Sequence, residues 1–394
     1  MPPEYLTGNR LTLLESGKQY FPALIAALDR AQREVFLETY IFADDDTGSL
    51  VAGALVRAAL RGVQVHLLLD GFGARDFAPR LRDMLASAGV QVLVFRPKIS
   101  PLTLRRSRLR RMHRKLVCVD ATVAFVGGIN VIDDYDTPGQ TPPRYDYAVR
   151  IEGPLATHTS RASTRLWASV VWANSGRRWP GIRALRPRRS PRGVDPVAAE
   201  RGNCRAALVL RDSLRHRRDI EEAYLERIEA VHTEVVIANA YFFPGRRFQR
   251  ALRAAARRGV SVVLLLQGRV EYTLLHYASH ALYRSLLEAG VEIHEYHRSF
   301  LHAKVAVFDS QVATVGSSNI DPFSFMMAKE ANVFVTDAGF ASQLRASLGA
   351  ALEGGARRVQ VHGWRRLSWW LGFRNWLAYT TVRLVMTVAG YGKG

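Results

Sequence analysis

The sequence predicts an α/β fold made of one unit written twice. Two apolar strand-like runs, Arg33 to Phe42 and Thr233 to Phe243, have the same shape, and each is followed by the same order of helix, glycine stop and apolar strand. Strands alternating with helices argue for an α/β sandwich in each half, with a largely parallel sheet.

In the first copy the helix-like stretch Leu50 to Leu60 runs through Arg61-Gly62 into Val63 to Asp70. In the second, Arg250 to Arg257 runs through Arg258-Gly259 into Val260 to Gln267. A further helix closes at Ala88-Gly89-Val90 and at Ala289-Gly290-Val291, each before another strand candidate. Tyr40 and Tyr241 are read as matching positions, and so are Glu38 and Asn239, which become candidates for the same cavity. Gly176 to Arg192 is rich in Gly, Pro, Ser and Arg and lacks a sustained apolar period, so it reads as a linker. The expected organisation is a first half over 1–175, a linker over 176–205, a second half over 206–360 and a Trp/Arg-rich tail over 361–394.

The chain has 394 residues, 48% of them hydrophobic, enough for a sizeable core in both halves. Its 55 Lys and Arg against 35 Asp and Glu give a formal charge of +20, a field that favours polyanions such as nucleic acid or an anionic membrane. Cys118 and Cys204 are the only cysteines, which speaks against a disulfide framework or a cysteine zinc site and for a reducing compartment. Met1 to Leu14 contains Glu4 and Arg10 and no apolar core of signal-peptide length.

Chemistry sits at the same point of both copies. His113-Arg-Lys115 is followed after four residues by Asp120 and after six more by Gly127-Gly128-Ile-Asn130. His302-Ala-Lys304 leads with identical spacing to Asp309 and Gly316-Ser317-Ser318-Asn319. A His and a Lys two apart on a strand share a face and can converge on one phosphate. Asp120 and Asp309 lie an odd number of positions beyond their lysines. They turn away from substrate if the strand runs on, and a turn there is the alternative. Gly128 and Ser317 are small enough to let backbone approach a phosphate, and Asn130 and Asn319 offer amide donors. His280, His294 and His297 lack metal-ligand spacing and read as polar surface histidines.

These residues resemble the HKD motifs of the phospholipase D superfamily, and both copies match throughout. The resemblance implies two halves related by a pseudo-twofold axis around one active site. One histidine attacks phosphorus, the other serves as general acid and base, and neither metal nor organic cofactor takes part. His113, Lys115, Asp120, His302, Lys304 and Asp309 are then the catalytic set, and Asn130, Asn319, Gly128 and Ser317 hold the phosphate. His113 is taken as the nucleophile by family precedent, although the near symmetry of the motifs leaves the order open. The family also places a carboxylate behind each histidine, for which Asp146 and Glu330 are the candidates, with ordinary strand-edge acids as the alternative.

Phe36 to Phe42, Ile237 to Gly245, the Gly-Gly-Ile-Asn form of the first motif and Asp146 to Pro154 are most similar to the bacterial cardiolipin synthases, in particular their short B-type branch. The activity implied is transfer of a phosphatidyl group from phosphatidylglycerol to a second lipid hydroxyl, with a hydrolase or a nuclease of the superfamily as alternative. Intact histidines and lysines in both motifs speak against a silent scaffold. The implied partners are anionic phospholipids and the inner membrane, met peripherally from the cytoplasmic face, with nucleic acid less favoured. The tail carries Trp364, Trp369, Trp370, Phe373, Trp376 and Tyr379 among Arg365, Arg366, Arg374 and Arg383. It suits an in-plane interfacial helix more than one packed on the core. Arg105, Arg106, Arg108, Arg110 and Arg111, just before His113, could gather lipid headgroups or track nucleic-acid phosphates.

Overall fold

The computed structural model describes residues 3–97, 110–137, 141–175, 198–212, 216–270, 273–321, 328–360 and 369–387. The first half runs β1 (Leu6–Glu15), α1 (Ser16–Asp29), β2 (Glu34–Thr39), α2 (Asp46–Leu60), β3 (Gln64–Asp70), α3 (Pro79–Ser87), β4 (Gln91–Phe95), β5 (Arg111–Met112), β6 (Lys115–Val119), β7 (Val123–Gly127), β8 (Tyr147–Glu152) and α4 (Pro154–Ser175). The second runs β9 (Cys204–Arg211), α5 (Asp219–Ala230), β10 (Glu234–Asn239), α6 (Arg246–Arg257), β11 (Ser261–Gln267), α7 (Thr273–Leu287), β12 (Glu292–Tyr296), β13 (Lys304–Phe308), β14 (Val312–Gly316), β15 (Ala328–Thr336), α8 (Ala338–Gly355) and β16 (Ala356–Arg358). The helix α9 (Trp369–Met386) follows.

Local chemistry explains the boundaries. Asp45 caps α2 by accepting the Gly48 N–H at 2.7 Å, and Gly62, at φ +88°, lets the chain leave the helix toward β3. Asp337 caps α8 in the same way, through the Phe340 N–H at 2.8 Å.

The strands form one sheet in the order β16-β12-β11-β10-β13-β14-β15-β9-β1-β8-β7-β6-β2-β3-β4. Outward from the central antiparallel pair of β1 and β9, the two arms list equivalent strands in the same sequence. The predicted fold class therefore holds, with the pseudo-twofold falling between these two strands. The expectation of a largely parallel sheet is corrected. In this order β2-β3-β4 and β10-β11-β12 run parallel, while β6, β7 and β8 and their counterparts are antiparallel; the short β5 adds a parallel pairing with β15. The reason is a tight turn inside each motif. Asp120-Ala121 and Asp309-Ser310 take left-handed conformations at φ between 50° and 58°, so the chain folds back at once instead of crossing over.

Side-chain parity sorts the core into three clusters. Val35, Leu37, Val117 and Val119 pack beneath α1, α2 and α3. Val235, Ile237, Ala306 and Phe308 pack beneath α5, α6 and α7. Between the arms, Phe36, Leu116, Val236 and Val305 face α4 and α8, with Trp167 among them. Each such side chain contributes about 1.5–3 kcal/mol by leaving water.

Register also corrects two matched pairs. The bridges Phe42–Val131 and Phe242–Ile320 tie the chain just beyond β2 and β10 to the residue after each motif Asn. Tyr40 therefore corresponds to Ala240, Ile41 to Tyr241, Glu38 to Ala238 and Thr39 to Asn239. The repeat of aromatic residues one position apart had suggested the wrong frame.

The linker segment 176–192, together with Arg105, Arg106, Arg108, Trp364, Arg365 and Arg366, lies outside the described residues. Of the tail, α9 packs along α7, burying Asn375, Ala378 and Val382. Its other side leaves Trp370, Phe373, Trp376, Leu377 and Leu384 exposed. The expected choice between a core-packed and an interfacial helix was thus framed too sharply, since one face is packed and the other open. No helix among the described residues is long and apolar enough to cross a membrane.

Candidate active site

The two histidines sit immediately ahead of β6 and β13, and the backbone that holds each comes from the other half. The His113 N–H donates to the Lys329 carbonyl at 3.0 Å, and the His302 N–H donates to the Tyr145 carbonyl at 2.8 Å. Those carbonyls belong to the residues just before Glu330 and Asp146, so the carboxylates arrive behind the opposite histidines. His113 Nδ1 lies 3.1 and 3.3 Å from the Glu330 carboxylate oxygens, and His302 Nδ1 lies 2.6 Å from Asp146 Oδ2. The pairing is crossed, and neither half contains a complete histidine–carboxylate unit.

A carboxylate at Nδ1 fixes the proton there and leaves Nε2 for chemistry. Both carboxylates are buried, whereas the imidazoles keep 18% and 16% of their side-chain surface. Burial depresses the pKa of His113, the Lys115 charge adds to this, and Glu330 opposes it. His302 falls well below the ordinary histidine value, through burial first and then Lys304, Lys115 and His113. Burial also lowers Lys115, to about 7, and raises Asp146, to about 6. For Glu330 burial pushes upward, but His113, Lys115 and the Ser317 hydroxyl outweigh it and the carboxyl ends below its usual range. Two lysines and two carboxylates therefore meet at the histidines, and burial biases both imidazoles toward the neutral form.

Each lysine turns back on its own motif. Lys115 Nζ donates to the His113 carbonyl at 2.7 Å and Lys304 Nζ donates to the His302 carbonyl. An ammonium has three donors, so this contact aims the head without exhausting it. Asn130 Oδ1 accepts from the Ile41 N–H at 3.2 Å, and Asn319 is buried beside β10, where the Ile320 N–H donates to Asn239 Oδ1 at 3.1 Å.

Four expected site residues do other work. Asp120 accepts from the Gln32, Arg33 and Glu34 N–H groups and Asp309 from those of His232, Thr233 and Glu234, at 2.7 to 3.0 Å. Both close the far end of a five-residue strand, about 16 Å from the histidine end. Placing them in the catalytic set is corrected, because the left-handed turn points them at backbone. Gly128 leaves room for a carboxylate rather than a phosphate, since a Cβ there would stand 2.3 Å from Asp146 Oδ1. Ser317 donates its hydroxyl to Glu330 at 2.5 Å and accepts the Ala331 N–H at 3.1 Å. Both are corrected from phosphate contacts to supports of the carboxylates. Glu38, a cavity candidate, is tied in a buried ion pair to Arg114 instead.

Sequence reasoning missed Tyr40 and Arg211. The Tyr40 ring stands edge-on to His113, with centroids 4.8 Å apart, and under Lys115. Arg211, buried, faces Glu330 across β9 and β15. Neither lies in a motif, so only the sheet register could have found them. His280 and His297 both contact Glu295, at 3.1 and 3.8 Å, and His294 reaches Glu292 at 3.5 Å. Among the described residues no group of His, Cys, Asp and Glu is arranged to hold a metal ion.

Two α/β units with fused sheets, each completing the other's histidine motif, define a protein of the phospholipase D superfamily. Within it the chain belongs to the family described as "Cardiolipin synthase, PLD-like domain", which matches residues 24–139 and 224–351. It is 37% identical over 384 residues to a protein of Escherichia coli strain K12 named Cardiolipin synthase B, covering 98% of this chain and 90% of that one. A protein of the same name from Salmonella typhimurium is 38% identical over the same length and shares. A Cardiolipin synthase of Geobacillus thermodenitrificans is 30% identical over 83% of this chain and 63% of its own. Among solved structures, phosphatidylserine synthase of Haemophilus influenzae shares the fold at a TM-score of 0.70 and 12% identity, over 100% of this chain and 97% of that one.

Proposed function

We propose that the chain transfers a phosphatidyl group from one phosphatidylglycerol to a hydroxyl of a second, giving cardiolipin and glycerol through a phosphohistidine. The observation that carries this reading is the crossed contact of His113 with Glu330 and His302 with Asp146, which fixes the tautomer of two imidazoles beside Lys115 and Lys304. His113 Nε2 attacks phosphorus, the P–O bond to the glycerol headgroup breaks, and the His302 imidazolium gives its proton to the departing oxygen. In the second step neutral His302 takes the proton of the acceptor hydroxyl, that oxygen attacks phosphorus, and the P–N bond breaks. One phosphodiester is consumed and one is made, so no external energy source is needed.

Lys115, Lys304, Asn130 and Asn319 stabilise the nonbridging oxygens. A phosphodiester anion bound between the lysines offsets the field that depresses His302 and favours the protonated state required for the first step. Phospholipid substrates bring the enzyme to a membrane surface. The exposed aromatic face of α9, with Arg374 and Arg383, suits an interfacial contact on the cytoplasmic side of the inner membrane.

Purified protein incubated with phosphatidylglycerol in mixed micelles without added metal tests the proposal, with lipids and glycerol followed by mass spectrometry. Cardiolipin and equimolar glycerol from the wild type, and neither from His113→Ala or His302→Ala, is the expected result. Phosphatidic acid as sole product would make the protein a hydrolase, and no lipid turnover would turn attention to nucleic acid.

A further inference from the structure

The two halves are not equivalent beside their motifs. In the first half, the Tyr40 ring fills the space next to His113 and Lys115. The Asp70 carboxylate ties down the N–H groups of Phe72, Gly73 and Met112 at 2.8, 3.2 and 2.7 Å. In the second half those positions are Ala240 and Gln267, and the space is a pocket of about 390 Å³, open mouth included, between α7 and the ends of β10 and β11. The pocket adjoins the second motif, because the Ala240 N–H donates to the Ala303 carbonyl, between His302 and Lys304, at 3.0 Å.

We propose that this pocket seats the hydroxylated headgroup of the acceptor lipid, a glycerol moiety with neighbouring hydroxyls, against His302. The inference rests on the transfer reaction proposed above. The polar side chains of its wall are Gln267, Arg269, His276, Ser279 and His280 with the phenols of Tyr241 and Tyr283, which mix donors with acceptors and include no carboxylate. Ser279 already donates to the Leu275 carbonyl at 2.8 Å, so its oxygen offers lone pairs to a ligand hydroxyl. His276 is held far below the ordinary value, near 4, by burial first and then by the charge of His280, so at neutral pH it is uncharged and can donate or accept. The neutral donors and acceptors suit the hydroxyls of a polyol, and the Arg269 guanidinium is engaged in part by the His297 carbonyl, at 3.1 Å. Behind it α7 packs on α9, where Arg374 lies 3.6 Å over the Tyr277 ring. Microscopic reversibility supports the same placement, because the leaving glycerol and the accepting glycerol must both meet the proton-carrying histidine. A seated polyol also competes with water for the phosphohistidine, which is what separates a transferase from a hydrolase.

The test uses the whole protein and a phosphatidyl p-nitrophenyl ester as donor, whose leaving group is not a glycerol. Glycerol or ethanol is added as acceptor, and the ratio of transfer product to phosphatidic acid is read in each reaction. That ratio is set after the phosphohistidine has formed and does not depend on how fast it forms. For Gln267→Leu with Ser279→Ala, and for Ala240→Tyr, which copies the first half's plug, the glycerol ratio should fall about tenfold while the ethanol ratio stays at the wild-type value. An unchanged glycerol ratio, or a parallel fall with ethanol, overturns the pocket, and melting curves identify any variant that fails to fold. Because the double variant keeps the backbone and removes only polar atoms, it decides the question if Ala240→Tyr does not fold. If the wild type makes cardiolipin from phosphatidylglycerol but the ratios do not move, only the pocket fails. If the wild type forms neither product from either donor, the transfer reading fails and takes the pocket with it.

Discussion

At the scale of single residues, the crossed carboxylates make the clearest predictions. Asp146→Asn keeps the shape of the contact with His302 Nδ1 but selects the wrong tautomer, and should lower kcat by about 10²–10⁴-fold. Gly128→Ala should do comparable damage, because its Cβ would meet a carboxylate already anchored by the Tyr147 N–H at 2.8 Å and by His302. Lipid turnover assayed beside a melting curve separates lost chemistry from lost fold. Lys115 carries a pH signature. Its pKa is lowered to about 7 in the free protein, mainly by burial, so kcat/KM should fall as pH rises through 7 and the ammonium loses its proton. Lys115→Arg keeps a charge at every working pH, and it should move that alkaline limb upward even if it lowers the plateau. A limb that stays in place would show that another group is responsible.

Elements carry the next set of forces. The motif aspartates, catalytic by resemblance, instead clamp a hairpin turn to the start of the neighbouring strand. For Asp309 burial pushes the pKa up, but hydrogen bonds from Glu234, His232 and Thr233 prevail and hold it at about 2. A carboxyl depressed in the folded state stabilises above its unfolded value of about 4, and loses that contribution as pH falls toward 2. Asp309→Asn should therefore cost on the order of 1 kcal/mol at pH 7, from the lost charge-assisted bonds, and progressively less below pH 4. Thermal melts of the two proteins across that range, converging in acid, are the expected outcome. The helix α9 makes a prediction of a different kind. Its buried face is spoken for by α7, so Trp370→Ser with Trp376→Ser removes only exposed apolar surface. Co-sedimentation with phosphatidylglycerol vesicles should weaken by about 30–1,000-fold if each Trp contributes roughly 1–2 kcal/mol at the interface. Undiminished binding would move the membrane contact elsewhere.

At the scale of the whole molecule, neither half holds both members of a histidine–carboxylate pair. His113 and Glu330 are 217 positions apart, and His302 and Asp146 are 156 apart, yet each pair is in hydrogen-bond contact. The Ser347 hydroxyl fastens the same junction, donating to Glu15 at 2.6 Å and lying 2.7 Å from the Tyr147 hydroxyl. Substitutions within a unit should then fail to add. With Asp146→Asn already in place, His302→Ala should cost less than it does in the wild type, whereas each should combine more fully with changes outside the pair. Additive losses across His302 and Asp146 would mean that the carboxylate acts apart from its histidine.

The sequence by itself determined the duplication, the α/β class and the identity of both motifs, because periodicity and spacing are local properties that survive in one dimension. Both carboxylates were legible too, as the acids that open an apolar strand after each motif. What only the tertiary structure decided was which partner each group meets. The crossing of Glu330 to His113 and of Asp146 to His302 follows from two arms of one sheet meeting at β1 and β9, and no spacing within either half encodes it. Asp120 and Asp309 could not be separated from the catalytic set by spacing, since whether a side chain faces substrate or backbone depends on one left-handed turn. The strand register, ambiguous by one position where aromatics cluster, was fixed by hydrogen bonds to strands far away in the chain. That register set Ala240 at the position of Tyr40, where the second half has a pocket beside its motif.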